Sequence, residues 1–163
     1  MKTFIISDTH FNHEHIIWFA HRPFNNVKEM NETMIKNWND KVSDKDLVIH
    51  LGDFVYGGIK KIKQIKNRLN GTIFLIKGNH DKMYRMKAVG ITTVKGRIEV
   101  GNLLLTHKPT KPENGLINVH GHIHHWKQKG KINASVEHTN YSPVHIEEYF
   151  IKAKEMLGEM KCE

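Results

Sequence analysis

Five times along this chain a short apolar run ends in a polar cluster. Phe4-Ile5-Ile6 leads into Asp8-x-His10, and Leu47-Val48-Ile49-His50-Leu51 leads into Gly52-Asp53. Thr72-Ile73-Phe74-Leu75-Ile76 leads into Gly78-Asn79-His80-Asp81. The run 103–106 leads into His107, and 116–119 into Gly121-His122-x-His124. Short β-branched and aliphatic runs of this kind read as buried strands. In an open α/β sheet ligands bind outside the carboxyl ends of the strands. A chain that places a polar group after each strand therefore predicts a sheet with one functional edge.

Between the runs the apolar period changes to that of a helix. Asn26 reads as an N-cap with Glu29 three residues on, a capping-box pattern. Val27, Met30, Met34 and Trp38 then predict a helix over about 27–39, with the Met and Trp side chains in the core. After Gly57-Gly58, Ile59, Ile62, Ile65 and Leu69 mark a second helix, stopped at Asn70-Gly71. Its other face carries Lys60, Lys61, Lys63, Lys66 and Arg68, either a solvated face or a nucleic-acid contact. Residues 13–24 read as a short helix and loop. The order β-α-β-α-β argues for a parallel half.

Later runs at 91–94, 97–100 and 103–106, with Gly101-Asn102 between two of them, carry a hairpin signal. With 116–119 and 132–136 they predict a mostly antiparallel second half. Ile146, Phe150, Ala153, Leu157 and Met160 predict a C-terminal helix after Pro143. The expectation is one α/β domain over residues 1–163.

The single cysteine, Cys162, excludes a disulfide framework and points to a reducing compartment. No run approaches the ~20 apolar residues that span a bilayer, and the N-terminal apolar stretch is too short for a signal peptide. A cytoplasmic protein with no membrane partner is expected. The net charge of +8 suits a polyanionic partner or simply a soluble, lysine-rich surface. Of the 13 histidines, His10, His80, His107, His122 and His124 lie in the motifs.

Asp8, His10, Asp53, Asn79, His107, His122 and His124 offer carboxylate, amide and imidazole donors and no thiolate. That set suits Mn, Fe, Ni, Co or Zn. It is too large for one ion, whereas two ions about 3.5–4 Å apart sharing a carboxylate use all of it. Each motif alone is a weak signal; the five in this order are a strong one.

In that order, D-x-H, G-D, G-N-H-D, H and G-H-x-H, the motifs resemble the calcineurin-like metallophosphoesterase superfamily over roughly residues 4–136. The resemblance implies two mixed β-sheets packed as a sandwich flanked by helices, and two divalent transition-metal ions, manganese favoured. It implies Asp8, His10 and His124 on one ion, Asn79, His107 and His122 on the other, and Asp53 bridging. His80 would meet the phosphate and protonate the leaving oxygen, an imidazole being a suitable donor near neutrality. Asp81 or a backbone carbonyl would hold the His80 tautomer, and Gly78 would let the strand turn.

Three residues after Asp53, protein phosphatases of the superfamily carry an Asp and the repair nucleases a His. Tyr56 stands here, so neither support of His80 transfers.

The expected activity is phosphodiester hydrolysis on a nucleotide or nucleic acid. A phosphomonoesterase and a non-catalytic scaffold are the alternatives. His13 and Arg22 are candidate substrate contacts; Arg22 either clamps phosphate or pairs with an acid. Lysines and arginines cluster in the loops after the motifs, and Trp126 either stacks on a base or packs. His50 and His120 read as buried structural histidines, with His125 turned away from His124.

Overall fold

A computed structural model describes residues 1–113 and 115–159. Strands β1 (Thr3–Ile6), β2 (Leu47–His50), β3 (Thr72–Ile76) and β4 (Thr92–Val94) run parallel, and β9 (Val144–His145) closes the β1 edge antiparallel. Alternate side chains leave opposite faces of these strands. Phe4, Ile6, Val48, Ile73 and Leu75 face the cluster of Met30, Met34, Trp38, Ile62, Ile65 and Met86. These come from helices α2 (Val27–Asn39), α3 (Ile59–Lys66) and α4 (Met83–Ala88). Ile5, Ile49 and Ile76 face the other way, onto Leu103, Leu105, Ile117 and Val119 of a second sheet. Helix α5 (Ile146–Glu159) completes that layer with Ile146, Tyr149 and Ala153. A further single-turn helix, α1 (Ile16–Phe19), lies on the loop after β1.

The α2 cap forms as its sequence predicts: Asn26 Oδ1 accepts the Glu29 N–H at 2.9 Å. Glu29 Oε2 reaches back to the N–H of Asn25, one residue earlier than a capping box requires.

The second sheet, β5 (Arg97–Val100), β6 (Leu103–Thr106), β7 (Ile117–His120) and β8 (Lys131–Asn133), corrects one expectation. Only the β5–β6 hairpin is antiparallel; β6, β7 and β8 are parallel. The run 91–94 joins the first sheet beside β3 instead of the second. Among the described residues the crossovers between β6, β7 and β8 hold no helix, so no helical period marked them. The run 132–136 is a strand only to Asn133. Ser135 then bridges to Ser7, and Val136–His138 form a 3₁₀ turn. Parallel pairing puts His107 and the Gly121–His124 loop at the same ends of neighbouring strands.

Residues Met160 and Cys162 lie outside the described residues. Among the described residues no helix is long and apolar enough to cross a membrane.

Candidate metal centre

The loops after β1, β2, β3, β6 and β7 meet where the two sheets abut. Backbone hydrogen bonds lace them together: Asp8 N–H to Gly52 O, His10 N–H to Asp53 O, and Gly121 N–H to His107 O. Asp8, His10, Asp53, His122 and His124 all have positive φ, from 47° to 72°. Left-handed backbone at non-glycine residues costs about 1 kcal/mol or more each and persists where the surroundings enforce it. Five such residues facing one another mark a place where side-chain direction outweighs backbone comfort.

Two triads result. Asp8, His10 and His124 bring a donor atom each within 4.8 Å of one another, and Asp53, His107 and His122 do the same. Asp53 lies between them, its Oδ2 3.5 Å from His10 Nε2 and 3.5 Å from His107 Nε2. Asn79 is exposed, with its amide nitrogen 3.2 Å from His122 Nδ1. All seven expected metal-ligand residues therefore gather at one place. Three atoms at its centre, Asp8 Oδ1, His10 Nε2 and His107 Nε2, are buried without a hydrogen-bond partner. Leaving such a group unpaired costs about 1–3 kcal/mol. Two imidazole nitrogens and a carboxylate oxygen, converging and unpaired, fit divalent cations.

The surroundings fix which atom each candidate ligand presents. His107 Nδ1 lies 2.8 Å from Leu51 O, which holds its proton there and frees Nε2. His124 Nδ1 lies 3.1 Å from Glu137 Oε1. Asp8 Oδ2 accepts from Ser7 Oγ, Ser135 Oγ and the His122 N–H, leaving Oδ1 free. Such partners orient metal ligands and raise their basicity. Burial pushes the Asp8 carboxyl up and the His10 imidazole well down, so His10 is neutral as a ligand must be. Burial also opposes charge on His124, but the Glu137 bond and the Asp8 charge outweigh it and raise its pKa.

His50 is buried beneath the centre, as expected. Its Nδ1 accepts the Gly52 N–H at 3.1 Å, its Nε2 lies 3.0 Å from Thr9 Oγ1, and that hydroxyl donates to Phe54 O at 2.8 Å. This chain ties the first two motif loops to β2 and requires a neutral ring. His120 is buried too, with Nδ1 on Gly121 O. His125 is exposed beside His21 and Trp126, away from the centre, and Trp126 is exposed as well.

Glycines supply room where loops touch. A Cβ on Gly78 would stand 2.2 Å from Asp53 Oδ1, and one on Gly121 2.0 Å from Asp8 Oδ2. Gly78 has no positive φ, so closeness to Asp53 rather than a special turn requires it.

Two expectations are corrected. Asp81 does not hold the His80 ring. It is buried, and its carboxylate accepts the backbone N–H groups of Asp53 (2.8 Å), Gly78 (2.8 Å) and Phe54 (3.1 Å). Asp81 thus pins the Gly78–Asp81 loop to the Gly52–Asp53 loop. Arg22 is no phosphate clamp. Its side chain is fully buried, bonded to Glu137, Asp8 O, Thr9 O and Met30 Sδ, so no donor is left for a substrate. The Asp53 carboxylate faces the His80 ring, its Oδ2 4.0 Å from Nε2, beyond hydrogen-bond distance. The backbone N–H of His80 donates to Asp53 Oδ1 at 2.8 Å, and its half-exposed ring stands 5.2 Å from the His10 ring and 6.0 Å from His13. Tyr56 packs edge-on against His13 at 4.4 Å, so the two aromatics wall the space beside His80.

Glu137 was invisible in the sequence. It sits in an ordinary Ser-Val-Glu-His stretch, and only folding brings it to His124 and Arg22.

The sequence pattern of the calcineurin-like phosphoesterases matches residues 1–155. The chain belongs to the calcineurin-like phosphoesterase family. This is a family of metal-dependent phosphoester hydrolases, and the two Asp/His groups can hold its metal. An uncharacterized protein of Methanocaldococcus jannaschii is similar at 38% identity over 161 residues, 90% of this chain and 88% of that one. A solved protein of unknown function from Aquifex aeolicus superimposes with a TM-score of 0.70 at 27% identity, covering 91% of this chain and 97% of the other. The nuclease MPE of Pseudomonas putida shares the fold at a TM-score of 0.53 and 18% identity, over 75% of this chain and 60% of the nuclease.

Proposed function

We propose that residues 1–163 form a single dinuclear metallophosphoesterase domain that hydrolyses a phosphodiester in a nucleotide or nucleic acid. The observation that carries this reading is Asp53 Oδ2, equidistant at 3.5 Å from an imidazole nitrogen of each triad. One carboxylate between two donor sets is the arrangement of a bridged ion pair. In this reading Asp8, His10 and His124 hold one ion, Asn79, His107 and His122 the other, and Asp53 both. A donor set of carboxylate, amide and imidazole without thiolate accepts manganese, iron, nickel, cobalt or zinc, and manganese is our first choice. When bound, the ions neutralise the phosphate oxygens and bring the pKa of a coordinated water towards about 7.

The chain's own groups do the rest. His80 is the acid: as the oxygen of a water that has given up one proton to solvent bonds to phosphorus and the ester P–O bond breaks, the His80 proton goes to the departing oxygen, and solvent returns a proton to His80. The Asp53 carboxylate fixes the His80 backbone, while the half-exposed ring stays open to substrate. His13, its Nδ1 turned to the Ile16 N–H, faces the same space and contacts the phosphate or leaving group. The single cysteine fits action in the reducing cytoplasm.

The net charge of +8 and the basic loops favour a diester in a polyanion over a small monoester. The test is a matrix of metals against bis(p-nitrophenyl) phosphate, p-nitrophenyl phosphate, dinucleotides and single- and double-stranded nucleic acid. Metal-dependent cleavage of diesters ahead of the monoester is expected. A monoester preference overturns the diester reading, and no hydrolysis with any metal overturns the enzyme reading.

A further inference from the structure

We infer, on the phosphodiesterase reading just given, that the substrate carries a second phosphate next to the scissile one, and that a basic cleft formed by Lys77, Arg97 and Lys108 receives it. Two clefts meet at Asn79. One, of about 420 Å³, runs past His80 along Tyr56, Gly57, Gly58 and Arg85. The other, of about 340 Å³, lies on the far side of Asn79, against Lys77, Arg97, Lys108 and Thr110. Both volumes are in the range of small-ligand sites.

The two clefts differ in chemistry. The first has an exposed aromatic wall in Tyr56 and two cations, Lys82 and Arg85, of which Arg85 is engaged with Gly57 O at 2.9 Å. The second presents three cations and no such wall, and among the described residues lining either cleft there is no carboxylate. Lys77 Nζ donates to Gly78 O at 2.9 Å, which keeps its charge beside the His80 loop. The backbone of Lys108 is pinned, since the Thr106 and Thr110 hydroxyls both donate to its carbonyl at 2.7 and 3.0 Å. Arg97 has Glu99 3.7 Å away, an exposed pair that binds weakly and can be displaced by an anion.

A phosphodiester at the centre has two arms. His80 marks the departing side, so that arm enters the Tyr56 cleft and the retained arm faces the basic one. A cyclic nucleotide or a lone diester leaves three cations unmatched there. A strand with a phosphate on the adjacent nucleotide matches them with charge-assisted contacts, each able to change binding by about tenfold.

The test compares kcat/KM for a dinucleotide with free ends, the same dinucleotide with a 5′-phosphate, the same with a 3′-phosphate, and bis(p-nitrophenyl) phosphate. Wild type and the Arg97→Gln/Lys108→Gln double variant are measured at two salt concentrations. One phosphorylated dinucleotide is expected to exceed the free-ended one by about tenfold or more, with the advantage shrinking at high salt. In the double variant the ratio of the two rates falls about tenfold. Equal rates on all three dinucleotides in wild type overturn the inference while leaving the phosphodiesterase reading intact. Hydrolysis of monoesters alone overturns that reading and the inference with it. The salt dependence and the wild-type ratio decide the matter even if the variant does not fold.

Discussion

Oε1 of Glu137 lies 3.1 Å from Nδ1 of His124. The same oxygen takes the Arg22 guanidinium at 2.8–2.9 Å, so one buried carboxylate orients a candidate metal ligand and neutralises a buried cation. Glu137→Gln is expected to weaken metal binding by about 10–100-fold, the usual effect of losing such a partner. It also leaves Arg22 uncompensated, a destabilisation of about 3 kcal/mol or more. Calorimetric metal titration and thermal unfolding of the same variant check both. Unchanged metal affinity in a folded variant contradicts the role given to the His124–Glu137 pair.

Asp81 and His80 are neighbours in sequence with different work. Because Asp81 accepts three backbone N–H groups, Asp81→Ala leaves buried donors unpaired and loosens Asp53. The expected result is a loss of about 3 kcal/mol or more in stability, together with weaker metal binding. Denaturant unfolding and metal titration measure it. A variant of wild-type stability and metal affinity that has lost only kcat contradicts the loop-pinning role.

The buried His50 ring titrates only at about 3, because burial penalises its charged form. An unfolded imidazole takes up its proton from about 6.5 downward, so acid favours the unfolded state. Stability is full above pH 6.5 and falls towards pH 3 by about 1.4 kcal/mol per pH unit for this one proton. Asp46, held down to about 2 by the Lys2 N–H and Ser43, loses its share only below its ordinary 3.8. Burial also lowers His10, His13, His120 and His122, so the His50 share is read as the difference between wild type and His50→Gln in urea unfolding between pH 4 and 7. His50→Gln is less stable at pH 7 but flatter towards acid; curves parallel to wild type contradict the assignment.

What was legible in the sequence was what local chemistry dictates. Strands β1, β2 and β3 read from their apolar runs, helix α2 from its Asn26 cap and its Met30, Met34 and Trp38 spacing, and the motif residues from their place after strands. Partner choice was not legible. Arg22 and Glu137 are 115 residues apart, and nothing near either one announces the other. Asp81 reads as a support for the His80 ring because the N–H groups it accepts belong largely to another loop. The left-handed backbone of Asp8, His10, Asp53, His122 and His124 carries no glycine signature, since tertiary packing enforces it. The second sheet misled because parallel neighbours joined by plain loops look, in sequence, like a meander.

The two-ion centre bridged by Asp53, with His80 outside the ligand set, is tested most directly by metal content. Wild type, Asp53→Asn and His80→Ala are loaded with manganese, dialysed and measured for metal per chain by mass spectrometry. Wild type and His80→Ala are expected to retain about two ions, with His80→Ala losing most of its diesterase activity, and Asp53→Asn to retain fewer than about one. One ion in wild type, undiminished metal in Asp53→Asn, or metal loss in His80→Ala contradicts the centre proposed here.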